Sequence, residues 1–399
     1  MEGIKDKVAI IGMGCTKFGE LWDKNADDLM IDAAYEACED ACVEMKDIQA
    51  AWLGTVFSGQ TALSLSLPLK LQYIPVTRVE NMCATGTEAL RAAAYAVAAG
   101  VYDIALAVGV EKLKDTGWTG VQSASTVATS SMGTSGTELE YSPPAMFAHL
   151  ATRYFHRYNL TPEEGKRLLA KIAMKNHHNG SLNPKAHFQN ELTIEQAMNA
   201  PIVAWPLGVL DCCGVSDGGA AAVVTRAELA KNFRSDPIYI KSMAISAGAR
   251  QGLMKQDYDF THMEENVRAS KMAYAEAGIK NPRDISIAEV HDCFSIHELV
   301  IYEDMGWCPR GRASEDIEAG TFTLEGELPV NTDGGLKCFG HPLGASGLRM
   351  LYEVYKQLQN KAGLRQVKNP CLGMTHNLGG NVGFGVCSCC IVGNELEKK

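Results

Sequence analysis

The segment TRVENMCATGTEALRAAAYAVAAGVYDIALAVGVE, residues 77–111, contains the pattern that decides the fold. It opens with a short strand-like run at 77–81, continues as an alanine-rich helical stretch ending at Gly100, and returns as the strand-like run 103–111. A glycine after the last helical residue is a common helix stop. The segment therefore predicts a β–α–β unit, with Cys83 at the junction between its first strand and its helix.

The same order of elements continues on both sides of this unit. Upstream there are strand-like runs at 8–14 and 50–55 on either side of a helical pattern at 28–41. A second series follows, with strands at 238–248 and 285–290, helices at 265–279 and 344–359, and two final strands at 371–380 and 382–393. This alternation predicts an α/β fold with a largely parallel sheet. The repeated order indicates a duplication, with an N-terminal half at 1–235 and a C-terminal half at 236–399.

Residues 115–205 break the pattern and are rich in Ser, Thr, His and Asn, as in TSSMGTSGTELEYSPP. We interpret them as a loop insertion in the first half that covers the pocket at Cys83, because long insertions on a compact scaffold often cover a site. Met132 and Met146 would offer adaptable apolar side chains to that pocket. A dimer contact is the alternative role.

Composition excludes several classes of function. The chain has 399 residues and a hydrophobic fraction of 46%. Its net charge is −10 with mixed signs, so the composition indicates no basic surface for binding nucleic acid or an anionic membrane. No apolar run is long enough to span a bilayer, and we expect neither a signal peptide nor a peroxisomal address. The 13 cysteines follow no disulfide framework. We expect a reduced, cytoplasmic protein.

Motifs for permanent cofactors and metals are also missing from the sequence. Neither a G-x-G-x-x-G fingerprint nor a P-loop is present. The C-x-x-C spacing of Cys387 and Cys390 falls in an apolar strand, where buried free thiols are common. His177, His178 and His187 lie in an Asn-rich stretch without acidic partners, so we expect no metal site there.

Two residues at strand-to-helix junctions are the leading candidates for chemistry. Cys83 would lie near a helix N-terminus, where backbone N–H groups lower a thiol pKa and could hold an oxyanion. His341, in CFGHPLGASG at 338–347, occupies the matching place in the second half and could take a proton from a thiol. The alternatives are a core cysteine and a helix-capping histidine.

Two further groups of polar residues follow strands of the second half. His291, Asp292 and Cys293 come directly after the strand 285–290, at the edge where α/β sheets place their sites. Asp292 fits a turn or N-cap role better than a catalytic one. His376 and the glycines that end with Gly380 could hold N–H groups against a ligand or could form a turn.

Together these motifs resemble the catalytic loops of the thiolase superfamily. The matching stretches are VENMCATG at 79–86, HDCF at 291–294 and GHPLGASG at 340–347. The HDCF loop resembles that of the sterol-carrier-protein-type thiolases, as do the stretches 174–188 and 211–224. The resemblance covers nearly the whole chain. It implies two similar halves in a five-layer α-β-α-β-α sandwich, and a homodimer formed through the half that carries the nucleophile.

The resemblance also implies roles for individual residues. Cys83 matches the acylated nucleophile, His341 the histidine that activates it, and His291 the residue that helps to hold the thioester oxygen, usually through water. The C-x-G loop of other thiolases has no counterpart, because the chain reads THNLGG there. In the sterol-carrier-protein type the second cysteine lies in HDCF, which indicates Cys293 as the acid/base. His376 and Gly380 then belong to the substrate or oxyanion loop.

Relatives of this type imply a substrate class and a partner. Coenzyme A is the expected co-substrate. Some relatives work with a small partner protein, an OB-fold with a zinc ribbon, and any metal belongs to that partner. One such pair cleaves 2-benzoylsuccinyl-CoA to benzoyl-CoA and succinyl-CoA during anaerobic toluene breakdown, and this is the first candidate reaction.

The expected mechanism is ping-pong. Cys83 attacks the 3-keto carbon of a 3-oxoacyl-CoA, the C2–C3 bond breaks, Cys293 protonates the enolate, and CoA releases the acyl group. The alternatives are an acetoacetyl-CoA thiolase, a condensing enzyme of the ketoacyl-synthase type, and a non-catalytic scaffold subunit.

Overall fold

A computed structural model describes residues 3–116, 142–249 and 257–397 of the chain. The first half contains the strands β1 Val8–Cys15, β2 Ala50–Gly54, β3 Val76–Val79, β4 Ile104–Glu111, β5 Ile202–Ala204, β6 Leu207–Gly208 and β7 Gly218–Arg226. Its helices are α1 Ala26–Ala41, α2 Leu63–Leu69, α3 Thr85–Ala98, α4 Pro143–Arg157, α5 Pro162–Ser181 and α6 Ile194–Met198.

The second half repeats the alternation. Its strands are β8 Ile238–Ala247, β9 Ile287–Glu289, β10 Leu372–Asn381 and β11 Phe384–Gly393. Its helices are α7 Glu264–Ala277, α8 Ser295–Asp304, α9 Ala313–Ala319, α10 Gly335–Cys338 and α11 Leu343–Leu358. The elements that carry the sequence motifs therefore begin and end close to their predicted positions.

One nine-stranded sheet joins the two halves, in the order β3-β2-β4-β7-β1-β8-β11-β10-β9. Its centre is a short antiparallel contact in which Ala9 and Ile10 pair with Tyr239 and Ile238. Outward from this contact, the strands of each half follow one another in the same order. At the far edge of the second half, a parallel bridge between Ala288 and Val330 takes the position that β3 has in the first half.

The expectation of a largely parallel sheet is wrong. Only β2 with β3, β2 with β4, and β9 with β10 pair in parallel among the described strands. The strands β7, β1, β8 and β11 form antiparallel ladders with their neighbours. In the second half, a short turn joins β10 to β11. Parallel neighbours need a crossover connection, so two strands joined by a hairpin must pair antiparallel.

Helices cover the sheet in layers. Buried side chains of α3 and α11 form one apolar cluster with strands from both halves. On the opposite face of the first-half strands, α1 forms a second cluster, while α7 and α8 pack on the second half in a third. Through the molecule the order is α1, first-half strands, α3 with α11, second-half strands, and α7 with α8. This is the five-layer arrangement that the resemblance implies.

The described part of the insertion is more helical than its composition suggests. It contains α4, α5 and α6, and α5 is a helix of 20 residues. Its polar side chains Asn176 and Asn179 are buried and donate to Glu298 and to the Asn331 carbonyl. The inward-facing amides therefore continue the buried face that Leu168, Leu169 and Ile172 begin, so the apolar stripe by which a helix is usually detected covers only part of its length. The TSSMGTSGT stretch with Met132 lies outside the described residues.

No helix in the described ranges has both the length and the apolar content that crossing a membrane requires.

The central helices α3 and α11 approach each other through glycines. A Cβ added at Gly86 would lie 2.7 Å from the Gly344 carbonyl oxygen. One added at Gly347 would lie 2.3 Å from Thr87 Oγ1 and 2.6 Å from the Thr87 backbone nitrogen. Both contacts are shorter than side chains tolerate, so the N-terminal turns of the two helices can meet only without Cβ atoms.

We therefore predict that Gly347→Ala lowers the free energy of unfolding by about 2–3 kcal/mol, because the new methyl group meets rigid backbone. Urea denaturation measures the loss. Gly100→Ala is the matched control, since Gly100 has φ +72° and nothing within 4 Å of an added Cβ. That control should cost about 1 kcal/mol through the left-handed backbone alone. Equal losses in the two variants would contradict the glycine contact.

Candidate active site

Cys83 lies in a tight loop between β3 and α3. Met82, directly before it, adopts φ +52°, a left-handed conformation that is uncommon for a residue with a side chain. The Thr85 hydroxyl accepts a hydrogen bond from the Asn81 N–H at 2.8 Å and ties the loop to the first turn of the helix. The loop thus holds the half-buried thiol of Cys83 in one position.

A glycine from the second half closes the other side of this loop. A Cβ at Gly379 would lie 2.4 Å from the Asn81 carbonyl oxygen and 3.1 Å from the Cys83 nitrogen. Gly379 is in β10, which therefore packs directly on the loop that carries the thiol. The neighbouring Gly380 is the residue that the sequence motif indicates for the site. A Cβ added at Gly380 would lie 2.9 Å from the Gly385 Cα in the paired strand.

His341 directly precedes α11, whose N-cap is Pro342. Its Nδ1 is 2.8 Å from Ser346 Oγ, and the Ser346 hydroxyl donates to the Pro342 carbonyl at 3.0 Å. Because the single hydroxyl hydrogen is used in that bond, Ser346 accepts from His341 Nδ1–H. The Nε2 atom of His341 then carries a free lone pair, as a general base requires.

The structure brings three of the predicted catalytic residues together. One ligand-type atom each from Cys83, His291 and His341 lie within 4.8 Å of one another. The rings of His291 and His341 have centroids 5.0 Å apart and are nearly perpendicular. The thiol from the first half therefore faces two imidazoles from the second.

Cys293 belongs to the same region. Its donor atom lies within 4.8 Å of those of His291 and His297, and its side chain is buried. His291 is thus shared between the surroundings of the two thiols. His297 was not singled out from the sequence, although it follows Cys293 by only four residues and lies in the first turn of the next helix.

Asp292 has the supporting role that its sequence context favours. Its carboxylate accepts hydrogen bonds from the backbone N–H groups of Leu336 and Lys337 and from the Asn176 amide. These bonds connect the HDCF loop to the N-terminus of α10 and to α5.

His376 lies in β10 with both ring nitrogens engaged inside the protein. Its Nε2 is 2.9 Å from Asn266 Oδ1, and its Nδ1 accepts the His291 N–H at 3.5 Å. His376 therefore supports the backbone of His291. Next to it, Asn377 Oδ1 accepts the Thr87 hydroxyl at 2.8 Å, whereas its Nδ2 has no partner among the described residues.

Donor groups close enough for a metal occur twice among the described residues, and both sets are the catalytic candidates above: Cys83, His291 and His341, and His291, Cys293 and His297. The other histidines discussed from the sequence are not gathered together. His177, His178 and His187 bind the Asn190 carbonyl, Glu191 and Ser216 separately. Cys387, Cys389 and Cys390 are buried free thiols of β11.

Comparison with known proteins assigns the family. The protein-family model "Thiolase, N-terminal domain" matches residues 8–228, and the family model "Thiolase C-terminal domain-like" matches residues 246–388. The chain belongs to the thiolase family. The three quoted loops all fall within these matches.

Three relatives align along nearly the whole thiolase chain. An acetyl-CoA acetyltransferase of Methanothermobacter thermautotrophicus is 40% identical and covers 94% of this chain and 97% of its own. Human sterol carrier protein 2 is 32% identical over 94% of this chain and 70% of its own. The benzoylsuccinyl-CoA thiolase subunit BbsB of Thauera aromatica is 32% identical, with coverages of 97% and 99%. The expected likeness to sterol-carrier-protein-type thiolases is confirmed, and the enzyme is an acyltransferase.

The solved structure of a protein named "Ltp2-ChsH2(DUF35) aldolase" has a TM-score of 0.84 to this thiolase and 25% sequence identity, covering 99% of this chain and 100% of that chain. The expected thiolase fold is confirmed.

The charge state of the nucleophile differs from the sequence-based prediction. Burial and the carboxylates of Glu111 and Glu80 raise the pKa of the Cys83 thiol to about 12. The prediction of a lowered pKa is wrong because burial and these carboxylates outweigh the helix N-terminus. Two N–H groups there, those of Ala84 and Thr85, are bonded to the Asn81 and Met82 carbonyls. The free thiolase therefore holds Cys83 as a neutral thiol.

The imidazoles of the site are neutral as well. Burial and the nearby Arg349 charge lower the pKa of His341 to about 3. Burial, followed by the neighbouring histidines His341, His297 and His376, lowers the pKa of His291 well below its usual value. A neutral thiol facing a neutral imidazole requires proton transfer to accompany nucleophilic attack, and a preformed ion pair is not needed.

This difference predicts the pH dependence of Cys83 alkylation by iodoacetamide. Because only the thiolate reacts and the Cys83 pKa is raised, the rate in the free enzyme should rise about tenfold per pH unit from pH 7 to 10 without a plateau. Mass spectrometry of the Cys83 peptide measures the rate, with N-acetylcysteine in the same buffers as the control. A plateau below pH 8 would instead establish a thiolate–imidazolium pair.

Proposed function

We propose that this thiolase cleaves a 3-oxoacyl-CoA with coenzyme A through an acyl-Cys83 intermediate, and catalyses the reverse condensation by the same route. The observation that carries the proposal is the meeting of Cys83, His291 and His341 within 4.8 Å, with a second thiol, Cys293, beside His291. Acyl transfer with carbon–carbon cleavage needs a nucleophile, its base and a separate proton carrier.

The first half-reaction begins at Cys83. The Nε2 atom of His341 takes the thiol proton as sulfur attacks the 3-keto carbon, and the bond between C2 and C3 breaks. The Ser346 hydroxyl keeps Nδ1 protonated during this step. We assign the developing oxyanions to the buried groups without protein partners in the described structure, the His291 ring and the Asn377 amide.

Cys293 serves the enolate side of the reaction. Its thiol protonates C2 during cleavage and, in the condensing direction, its sulfur removes a C2 proton. Burial, together with the neighbouring Cys213 and Cys83, raises the pKa of Cys293 well above the usual value. A thiol of raised pKa is a suitable proton donor toward a carbanion. His376 acts on this side by holding the His291 backbone, and Gly380 remains a candidate for the substrate loop.

The relatives favour a small acyl group. The acetyl-CoA acetyltransferase is more similar to this chain, at 40% identity, than the benzoylsuccinyl-CoA thiolase subunit at 32%. We therefore place acetoacetyl-CoA and acetyl-CoA first and 2-benzoylsuccinyl-CoA second as substrates. Coenzyme A is a co-substrate and is not permanently bound.

Other reaction classes are weaker candidates. A ketoacyl-synthase-type enzyme would share the Cys-His-His set but does not require Cys293. An aldolase, the activity named for the similar solved structure, requires no acyl-enzyme, and neither does a non-catalytic scaffold. Detection of an acyl group on Cys83 would therefore distinguish a thiolase from an aldolase and from a non-catalytic scaffold.

A homodimer through the first half is supported by exposed apolar side chains there. The edge strand β3 is only partly buried. Upstream of the Cys83 loop, Leu63 and Leu67 of α2 are 62% and 72% exposed, and Tyr73 is fully exposed. We propose that a second copy of this chain covers this surface, because an apolar patch beside an unpaired strand edge is typical of an interface.

We also propose a small zinc-ribbon/OB-fold partner and a cytoplasmic location. The partner is supported by the similar solved structure named "Ltp2-ChsH2(DUF35) aldolase", whose name joins two proteins, and by the naming of BbsB as a subunit. The location is supported by the 13 unpaired cysteines, which favour a reducing compartment.

The central prediction is that Cys83→Ser forms no acyl-enzyme and loses nearly all thiolysis, since a serine hydroxyl at this site is a far weaker nucleophile. Intact-protein mass spectrometry after incubation with acetoacetyl-CoA detects the acyl group. Cys293→Ala is the matched cysteine variant. It should still acylate Cys83 from acetyl-CoA, while exchange of the C2 protons with D₂O falls about 100-fold. Wild-type thiolysis by Cys83→Ser would disprove the proposed function.

The two proposed interfaces predict the size of the assembly. In light scattering, the chain should be a dimer, and Leu67→Asp should shift it toward monomer because a charge in the apolar patch would be buried by the second copy. Coexpression with a small zinc-ribbon/OB-fold protein should give a larger zinc-containing complex. A dimer unaffected by Leu67→Asp would contradict the assigned surface.

A further inference from the structure

Four buried imidazole rings form a row in the candidate active site. The ring centroids of His341 and His291 are 5.0 Å apart, those of His291 and His297 5.4 Å, and those of His297 and His376 6.0 Å. The first two face Cys83, and His376 holds the His291 backbone. His297 is the one ring of this row to which neither the motifs nor the mechanism above assigns a role.

The His297 ring makes a polar contact with Cys293. Its Nδ1 lies 3.5 Å from the Cys293 sulfur, and its Nε2 has no hydrogen-bond partner within the described residues. The His297 side chain is fully buried. Leaving a buried polar nitrogen unpaired costs about 1–3 kcal/mol, so an apolar residue would be less costly here unless the imidazole is used.

Local structure fixes the ring against the thiol. Cys293 lies just before α8, whose N-cap is Phe294, and the His297 N–H donates to the Phe294 carbonyl at 2.9 Å. The first helical turn therefore brings the two side chains together. Phe147, from α4 of the insertion, packs on the His297 ring at 5.1 Å and on Phe294 at 4.7 Å.

We propose that His297 is a positioning residue that orients the Cys293 thiol and accepts its proton, so that the enzyme contains two thiol–imidazole pairs, Cys83 with His341 and Cys293 with His297. The inference rests on the proposed function, because it deepens the role of Cys293. His291 lies between the two pairs, with its donor atom within 4.8 Å of both thiols.

The proton balance of the condensing half-reaction shows why Cys293 needs a partner. A neutral thiol cannot remove a proton from C2 of acetyl-CoA. When the S–H bond breaks and the proton passes to His297 Nδ1, the sulfur can take the C2 proton. The C2 proton is then on sulfur, the thiol proton on the imidazole, and the negative charge on the enolate oxygen. The C2-derived proton on sulfur exchanges with solvent before the transfers reverse, so the proton that returns to carbon comes from solvent.

The resting charges agree with this assignment. Burial and the nearby His376 lower the pKa of His297 well below its usual value, while the pKa of Cys293 is raised. Both partners are therefore neutral in the free enzyme, and the pair is charged only while the enolate exists.

The test separates two partial reactions of acetyl-CoA in the full-length enzyme. His297→Phe keeps a ring of similar size beside Phe147, and His297→Asn keeps a hydrogen-bond acceptor that cannot take a proton. In both variants, deuterium exchange at C2 should fall about 100-fold, as expected for loss of general acid–base catalysis. Acylation of Cys83, measured by mass spectrometry, should stay within about threefold of wild type, because it uses His341.

Phe147→Leu is the packing control, since it loosens the contact with the His297 ring without removing the imidazole. Its ratio of exchange to acylation should match that of wild type. Exchange at the wild-type rate in His297→Phe, or an equal fall of exchange and acylation in that variant, would overturn the inference. Loss of exchange in the His297 variants of an enzyme that never acylates Cys83 would support the pair and reject the proposed thiolase reaction.

Discussion

The site depends on the contact between two helix N-termini that have glycine where they meet. Gly86 of α3 faces the Gly344 carbonyl of α11, and Gly347 faces the backbone of Thr87. Gly109 of β4 also approaches the Gly344 carbonyl so closely that an added Cβ would lie 2.2 Å from it. Because Cys83 and His341 lie just before these helices, the approach of the two backbones sets the distance between the Cys83 thiol and the His341 ring.

Buried carboxylates hold the loops around this contact. The Glu111 carboxylate accepts N–H groups from Val56, Phe57 and Ser58 of the first half, and from Gly344 of the second. In the second half, Arg349 bonds to both Glu289 and Asp333, all three fully buried. Breaking one partner of such a network would leave an uncompensated buried charge. The network therefore restricts the histidine-bearing loops to one arrangement.

The same burial determines the chemistry of the site. Removal from water favours the neutral forms of Cys83, Cys293 and the imidazoles, and the positive charge of Arg349 further lowers the pKa of His341. A neutral site can admit the thioester and enolate portions of a substrate without first separating charge. In the proposed mechanism, each proton transfer then occurs only when a reacting atom is present, and each thiol needs a nearby base.

The sequence by itself predicted the alternating elements, their repeated order and the candidate site residues Cys83, His291, Cys293 and His341, because short motifs at strand ends and helix starts are local properties. Tertiary structure decided the antiparallel pairings, which depend on how distant strands meet. It also decided the raised Cys83 pKa, since burial and the Glu111 carboxylate act on the thiol only after folding. The contact of His297 with Cys293, and that of Gly379 with the Cys83 loop, were likewise visible only when burial and distance could be measured.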